Sequence, residues 1–192
     1  MKADVAIIGA GIAGASLAAE LAPHCRVILI EAETTPGYHS TGRSAAFWHE
    51  TLGGPLVQPL TTGSYNSLQS GGFLKPRVSL SVAENNTVSL LDAQQKAFAG
   101  TGVRLTRVDA KGVRALVPRA SAVLVAGLVE EDCADIDVSG LHASYLSIFK
   151  RAGGVLLTDI RIDRLTRMRG VDRKSTRLNS SHRNTSRMPS SA

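Results

Sequence analysis

Apolar residues fall in different patterns along this chain, and each pattern predicts an element. Val5-Ala6-Ile7-Ile8 is a continuous apolar run, and Val27-Ile28-Leu29-Ile30 is a second. Such runs predict strands buried on both faces, as in a parallel sheet. Between them, Ile12 to Leu21 is rich in Ala and Leu and suits a helix, which Pro23 and His24 close. Pro55 to Leu68 has looser helical spacing, weakened by Gly63, with Tyr65 and Leu68 as packing residues. Arg77 to Glu84 alternates polar with apolar, the mark of a half-buried antiparallel strand. Asn85-Asn86 turns, and Val88 to Ala99 reads as an amphipathic helix. Val103 to Val108 is a short strand, after which Asp109 caps a short helix ending before Pro118. Ala122 to Val129 is an apolar strand. Gly140 to Ala152 is a helix capped by Asp137 or Ser139, with Leu141, Tyr145, Leu146 and Phe149 on one face. Gly153-Gly154 ends it, and Val155-Leu156-Leu157 opens a strand returning to the first sheet. The expected fold class is α/β.

The first strand–helix–strand unit carries the first chemical signal. Gly9, Gly11 and Gly14 stand at G-x-G-x-x-G spacing between strand and helix, and Glu31 ends the second strand 17 positions after Gly14. In a dinucleotide site, the first glycine makes the tight turn, the second lets a pyrophosphate approach the backbone, and the third lets the helix pack on the sheet. The helix N-terminus offers N–H groups and a positive dipole end to phosphates. The Glu31 carboxylate suits ribose hydroxyls and repels a 2′-phosphate, and no basic residue follows at Ala32 or Glu33, which disfavours NADP. Thr34 to Ala46 then forms a loop rich in hydroxyls and glycine. Its Ser40 and Thr41 hydroxyls and its N–H groups suit a pyrophosphate or a flat ring, and Ser44-Ala45-Ala46 is small enough to admit one. Arg43 either adds positive charge there or pairs with a surface acid.

These residues bring the chain into register with a known family. The glycine-rich first strand, Glu31, the run Pro36 to Ala46, and Ala134-Asp135-Ile136-Asp137 followed by Leu141-His142 and Tyr145-Leu146 resemble the FAD-dependent oxidoreductases of the D-amino acid oxidase superfamily. The resemblance is closest to bacterial D-arginine dehydrogenase-like members and runs from about Val5 to Leu165. It implies a Rossmann-like FAD-binding domain with part of an inserted α+β substrate domain. It also implies FAD as cofactor, an amino acid substrate, and hydride transfer from a C–N bond to the flavin. The adenosine end would lie at Ala13, Glu31 and Ala32 and the flavin end at Ser40, Thr41, Gly42, Arg43, Ser44, Ala45 and Ala46. Arg161 falls where relatives use a backbone group on the adenine. Implied divisions are 1–76 for the first part of the FAD domain, 77–137 for the start of the substrate domain, and 138–171 for the return. Two departures matter: arginine-oxidising relatives carry a histidine where Phe47 stands and an acid where Ser79 stands. Arginine specificity is therefore not carried over.

Composition narrows the remaining chemistry. Of the net charge of +6, residues 172–192 supply five basic groups against one acid, leaving 17 basic against 15 acidic residues in the body. The body thus carries no nucleic-acid signature. The 172–192 stretch itself resembles the translation of a sequencing-library adapter. The expectation is that natural sequence stops near Val171, mid-domain, and that the 192-residue chain is a poorly soluble, inactive fragment. Cys25 and Cys133 lie outside metal-ligand spacing and read as small apolar residues of a reducing cytosol. Neither a signal peptide nor a membrane span is expected, which gives a cytoplasmic location. The acids Glu130 to Asp137 lack the turning glycine of a hard-cation loop, so a structural loop is expected and no metal. His49-Glu50 reads either as a catalytic pair or as a solvated helix end, the second being favoured, and His142 as a packing or hydrogen-bonding residue. No Ser-His-Asp set, zinc spacing or P-loop is present, and no catalytic residue or electron acceptor is named. An NAD-dependent dehydrogenase and a non-catalytic dinucleotide-binding fragment are the alternatives.

Overall fold

The computed structural model describes residues 2–166 and 177–178. In chain order the elements are β1 (Val5–Ile8), α1 (Ile12–Leu21), β2 (Val27–Ile30), β3 (Phe47–Trp48), α2 (Gln58–Ser70), β4 (Leu74–Ala83) and α3 (Val88–Ala97). β5 (Leu105–Asp109), α4 (Ala110–Leu116), β6 (Ala126–Ile136), α5 (Val138–Arg151), β7 (Val155–Leu157), β8 (Leu165–Thr166) and β9 (Arg177–Leu178) follow. They form two compact units, one of residues 1–44 with 139–192 and the other of residues 45–138. The second unit opens at Ala45. The reason is pairing: β3 follows β2 closely in sequence but joins the sheet of β6, through Phe47–Asp135 and Trp48–Ala134. Most of the adapter-like stretch lies outside the described residues, apart from β9, which pairs antiparallel with β8.

In the first unit a parallel sheet has the order β1-β2-β7. Ile7, Val27 and Leu29 from the sheet, Ala18 and Ala19 from α1, its C-cap Ala22, and Phe149 from α5 are in its core. Small alanines let α1 lie close to the strands, while the Phe149 ring, fully buried, fills the space beside them. Only β2 is buried along its whole length. β1 alternates instead: Ile7 packs into the core while Ile8, on the opposite face, is 54% exposed. This corrects the expectation that both runs are buried on two faces.

In the second unit the long strand β6 is the axis of an antiparallel sheet. β4 pairs along one side of it; β5 pairs with Ala126–Glu130 and β3 with Ala134–Asp135. The strand read in Arg77 to Glu84 is present as β4, which starts earlier, at Leu74, but its burial does not follow the alternation: Val78 and Val82 are exposed, 50% and 43%, while Ser79 and Ser81 are half-buried. Its pairing shifts register between Arg77 and Ser79, an irregularity beside Pro76. Asp109 caps α4 as expected, accepting from the Gly112 N–H at 2.8 Å. Leu91, Ala83, Ala126 and Leu128 form the core under α3. The acidic run Glu130 to Ile136 is strand rather than loop: β6 passes straight through it. Backbone pairing on both sides and the burial of Glu130, Cys133 and Ala134 override the charge pattern.

Candidate functional site: a dinucleotide cradle

The glycine turn behaves as its spacing requires. Gly9 has φ +94°, a conformation that costs a non-glycine residue, and its N–H donates to the Ile30 carbonyl at 2.7 Å. Gly11 is the N-cap of α1 and lies against the Thr41 hydroxyl. Gly14 sits so close to the turn that a Cβ there would lie 1.9 Å from the Gly9 carbonyl oxygen. Ala13 is exposed on the first turn of α1. The first helical amide, Ile12 N–H, donates to Thr41 Oγ1 at 2.9 Å, so the Pro36 to Ser44 loop caps α1 from outside the helix.

Glu31 is buried, 8% exposed, and both of its oxygens already hold backbone donors. Oε2 accepts from Ala10 N–H at 2.7 Å and Oε1 from Glu33 N–H at 3.1 Å. A carboxylate has about four acceptor positions, so two remain for hydroxyls. The sequence reading missed that this acid also braces the glycine turn. Glu31→Gln puts an amide N–H₂ in place of one acceptor oxygen. It is expected to weaken FAD binding about tenfold or more, measured by fluorescence titration of the apoprotein. An unchanged Kd removes the carboxylate from cofactor recognition.

The other expected cofactor residues divide into two sets. Ala32, Ser40, Gly42, Arg43 and Ser44 are exposed in the first unit, and the Arg43 guanidinium lies 5.3 Å from the Tyr38 ring centre. Ala45 and Ala46 open the second unit, where the Ala46 carbonyl accepts from Ile136 N–H at 3.0 Å. Arg161 points to solvent, its side chain 88% exposed and 4.0 Å from Asp163. The backbone just before it is anchored, since Ile160 N–H donates to the Glu31 carbonyl at 3.0 Å.

In the second unit His49 and Glu50 are not a solvated helix end. They follow β3 in a turn, and Glu50 is buried, accepting from the Thr62 hydroxyl. His49 Nε2 lies 2.9 Å from Glu130 Oε2. Glu130, 2% exposed, also accepts from the Thr51 hydroxyl at 2.7 Å and the Glu50 N–H at 2.8 Å. Burial pushes this carboxyl up, but the hydrogen bonds from His49 and Thr51, the His49 charge and the Glu50 N–H together hold it below the ordinary range. Burial, then the Glu130 charge and hydrogen bond, push the Cys133 thiol up to about 12, where it is inert as a nucleophile. Ligand atoms of His49, Glu130 and Cys133 lie within 4.8 Å of one another, the sole such grouping among the described residues. With the carboxylate held by four donors, it acts as a hydrogen-bonded staple between β6 and the turn after β3. No local pattern signals this staple, since its two sides, His49 to Thr51 and Glu130, are 79 or more positions apart.

A positive-φ glycine turn, a helix close enough to need Gly14, an acid at the end of β2 and a hydroxyl loop over the helix start define a dinucleotide-binding α/β protein. Residues 4–185 match the DAO family, described as FAD dependent oxidoreductase, and the chain belongs to that family. FAD is therefore its cofactor rather than NAD, and the glycine turn, the α1 N-terminus and Glu31 fit the nucleotide. The fold is similar to glycine oxidase from Geobacillus kaustophilus, with TM-score 0.75 and 19% identity over 86% of this chain and 49% of that one. It is similar to L-alpha-glycerophosphate oxidase from Mycoplasma pneumoniae with FAD bound, with TM-score 0.76 and 17% identity over 86% and 47%. It is also similar to L-proline dehydrogenase from P. horikoshii, with TM-score 0.75 and 18% identity over 86% and 46%. The chain spans about half the length of these proteins. Among the described residues no helix is long and apolar enough to cross a membrane.

Proposed function

We propose that the whole protein oxidises an amino acid, a D-amino acid or related amine, at its C–N bond, and that the substrate side chain is uncharged. FAD, when bound, supplies the hydride acceptor. The amine becomes an imine, its proton going to solvent. The glycine turn and the α1 N-terminus hold the phosphates, Glu31 holds the ribose, and Ser40 to Ala46 receive the ring. Membership in an FAD-dependent family and fold likeness to glycine oxidase and proline dehydrogenase support the reaction class.

The observation that carries the side-chain preference is a cavity of about 230 Å³ within the second unit, lined by Phe47, His49, Arg77, Val78, Ser79, Leu80 and Cys133. Each charged group on its wall already has a partner. Arg77 pairs with Asp135 at 2.6 Å and lies over the Phe47 ring at 4.4 Å, and His49 meets Glu130. The lining carries no carboxylate for a cationic substrate group, and the Arg77 guanidinium on it repels one. A dry cavity of about 150 Å³ accepts benzene, so this one has room for an aliphatic or aromatic side chain.

The test is dye-linked oxidation by the full-length protein across a panel of D- and L-amino acids, with glycerol 3-phosphate as the C–O substrate for contrast. Neutral D-amino acids such as phenylalanine and leucine are expected to exceed arginine and lysine in kcat/KM by at least about tenfold, the discrimination of one unpaired charge or more. Preference for a cationic amino acid overturns the side-chain assignment. Turnover of glycerol 3-phosphate with no amino acid oxidised overturns the reaction class.

A further inference from the structure

We propose that His142 is a positioning residue for FAD, holding the glycine turn and the hydroxyl loop in their cofactor-ready conformation from α5. His142 belongs to α5, 132 positions from the turn it touches, and is 8% exposed. Its Nε2 lies 2.8 Å from the Ala10 carbonyl oxygen. A carbonyl only accepts, so Nε2 carries the proton and donates.

Ala10 is fully buried between Gly9 and Gly11, and its N–H donates to Glu31 at 2.7 Å. The residue at the centre of the glycine turn is thus gripped at its N–H by the acid of β2 and at its carbonyl by the imidazole of α5. The same imidazole supports the second cofactor segment. Gly37 has φ +77°, and a Cβ there would lie 2.9 Å from His142 Cε1 and 3.2 Å from Nδ1, so the loop backbone rests on the ring. Gly42 N–H closes that loop on the Gly37 carbonyl at 2.7 Å, and Thr41 between them accepts from Ile12 N–H. One side chain therefore touches both segments that bind the cofactor while standing outside either. Ordering those backbones before FAD arrives lowers the ordering cost at binding.

The test compares His142→Gln, His142→Asn and His142→Leu in the full chain. Gln brings an amide N–H to about the reach of Nε2; Asn is a donor too short to reach Ala10; Leu fills space without donating. Phe149→Leu, buried on the same helix but outside the cofactor segments, controls for general destabilisation. The readouts are FAD Kd by flavin fluorescence titration and melting temperature of the apoprotein. Substrate turnover plays no part, so failure of the substrate proposal leaves this test standing. His142→Asn and His142→Leu are expected to weaken FAD about tenfold and His142→Gln no more than about threefold, the scale of one buried hydrogen bond. Phe149→Leu is expected to lower the melting temperature while leaving Kd within about threefold. Equal weakening by Gln and Asn overturns the proposal, and that comparison holds even where the Leu variant does not fold. So does an unchanged Kd in the Asn variant, weakening by Phe149→Leu equal to that of His142→Asn, or a wild-type chain that takes up no FAD.

Discussion

Gly14→Ala is expected to strip the protein of FAD and to lower its melting temperature by about 6–12 °C, the equivalent of about 3 kcal/mol in a chain of this size. Two effects oppose each other at this position. Gly14 lies in the first turn of α1 with ordinary helical backbone, where alanine is favoured over glycine by about 1 kcal/mol. The new methyl, however, would stand 1.9 Å from the Gly9 carbonyl oxygen, 3.1 Å from its carbon and 3.3 Å from Ile7 Cγ2. The obstructing atoms are mostly backbone, so no flexible side chain can move aside and the helix must shift off the turn. Overpacking outweighs propensity, and the displaced helix start no longer presents its amides to the phosphates. Thermal melting of the apoprotein and flavin retained through purification measure the two consequences. A Gly14→Ala protein that melts within about 2 °C of wild type and stays yellow would show that the turn has slack.

The second large effect belongs to Glu130. Glu130→Ala is expected to cost about 3–5 kcal/mol, the scale of removing one partner from a buried charged cluster. His49, the Thr51 hydroxyl, the Glu50 N–H and the Cys133 thiol all lose their acceptor at once. The same group predicts an acid limit. Its folded-state pKa is held below the ordinary 4.5. The native state therefore binds the proton less readily than the unfolded chain does. The contribution is fully present above that ordinary value and is lost as pH falls through the depressed folded one. Urea unfolding of wild type and Glu130→Gln between neutral pH and pH ~3 checks the sign. The stability gap between them is expected to be widest at neutral pH and to narrow below about pH 4.5. A gap that widens on acidification would mean that burial, not the donors His49, Thr51 and Glu50 N–H, controls the carboxyl.

The parts legible in the sequence are those set by near neighbours along the chain. The period of apolar residues gives β1, α1 and β2, and three glycines at fixed spacing give the turn between them. The cap at Asp109 is equally local. Each depends on backbone geometry and on contacts a few residues away, which residue type controls directly. The acidic run from Glu130 failed as a sequence signal for the opposite reason. Charge read along one strand suggests solvent, whereas the burial of Glu130 depends on donors from the turn after β3, about 80 positions earlier.

From the sequence alone follow the α/β class, the dinucleotide fingerprint and the acid that ends β2, because each is a spacing between residue types. Only the tertiary structure decided that Glu31 also braces the turn, that His142 reaches Ala10 and that Glu130 joins His49 and Cys133. These are pairings between distant segments. Their partners are chosen by how sheets and helices bury surface together, and no residue carries a local mark of the partner it will meet.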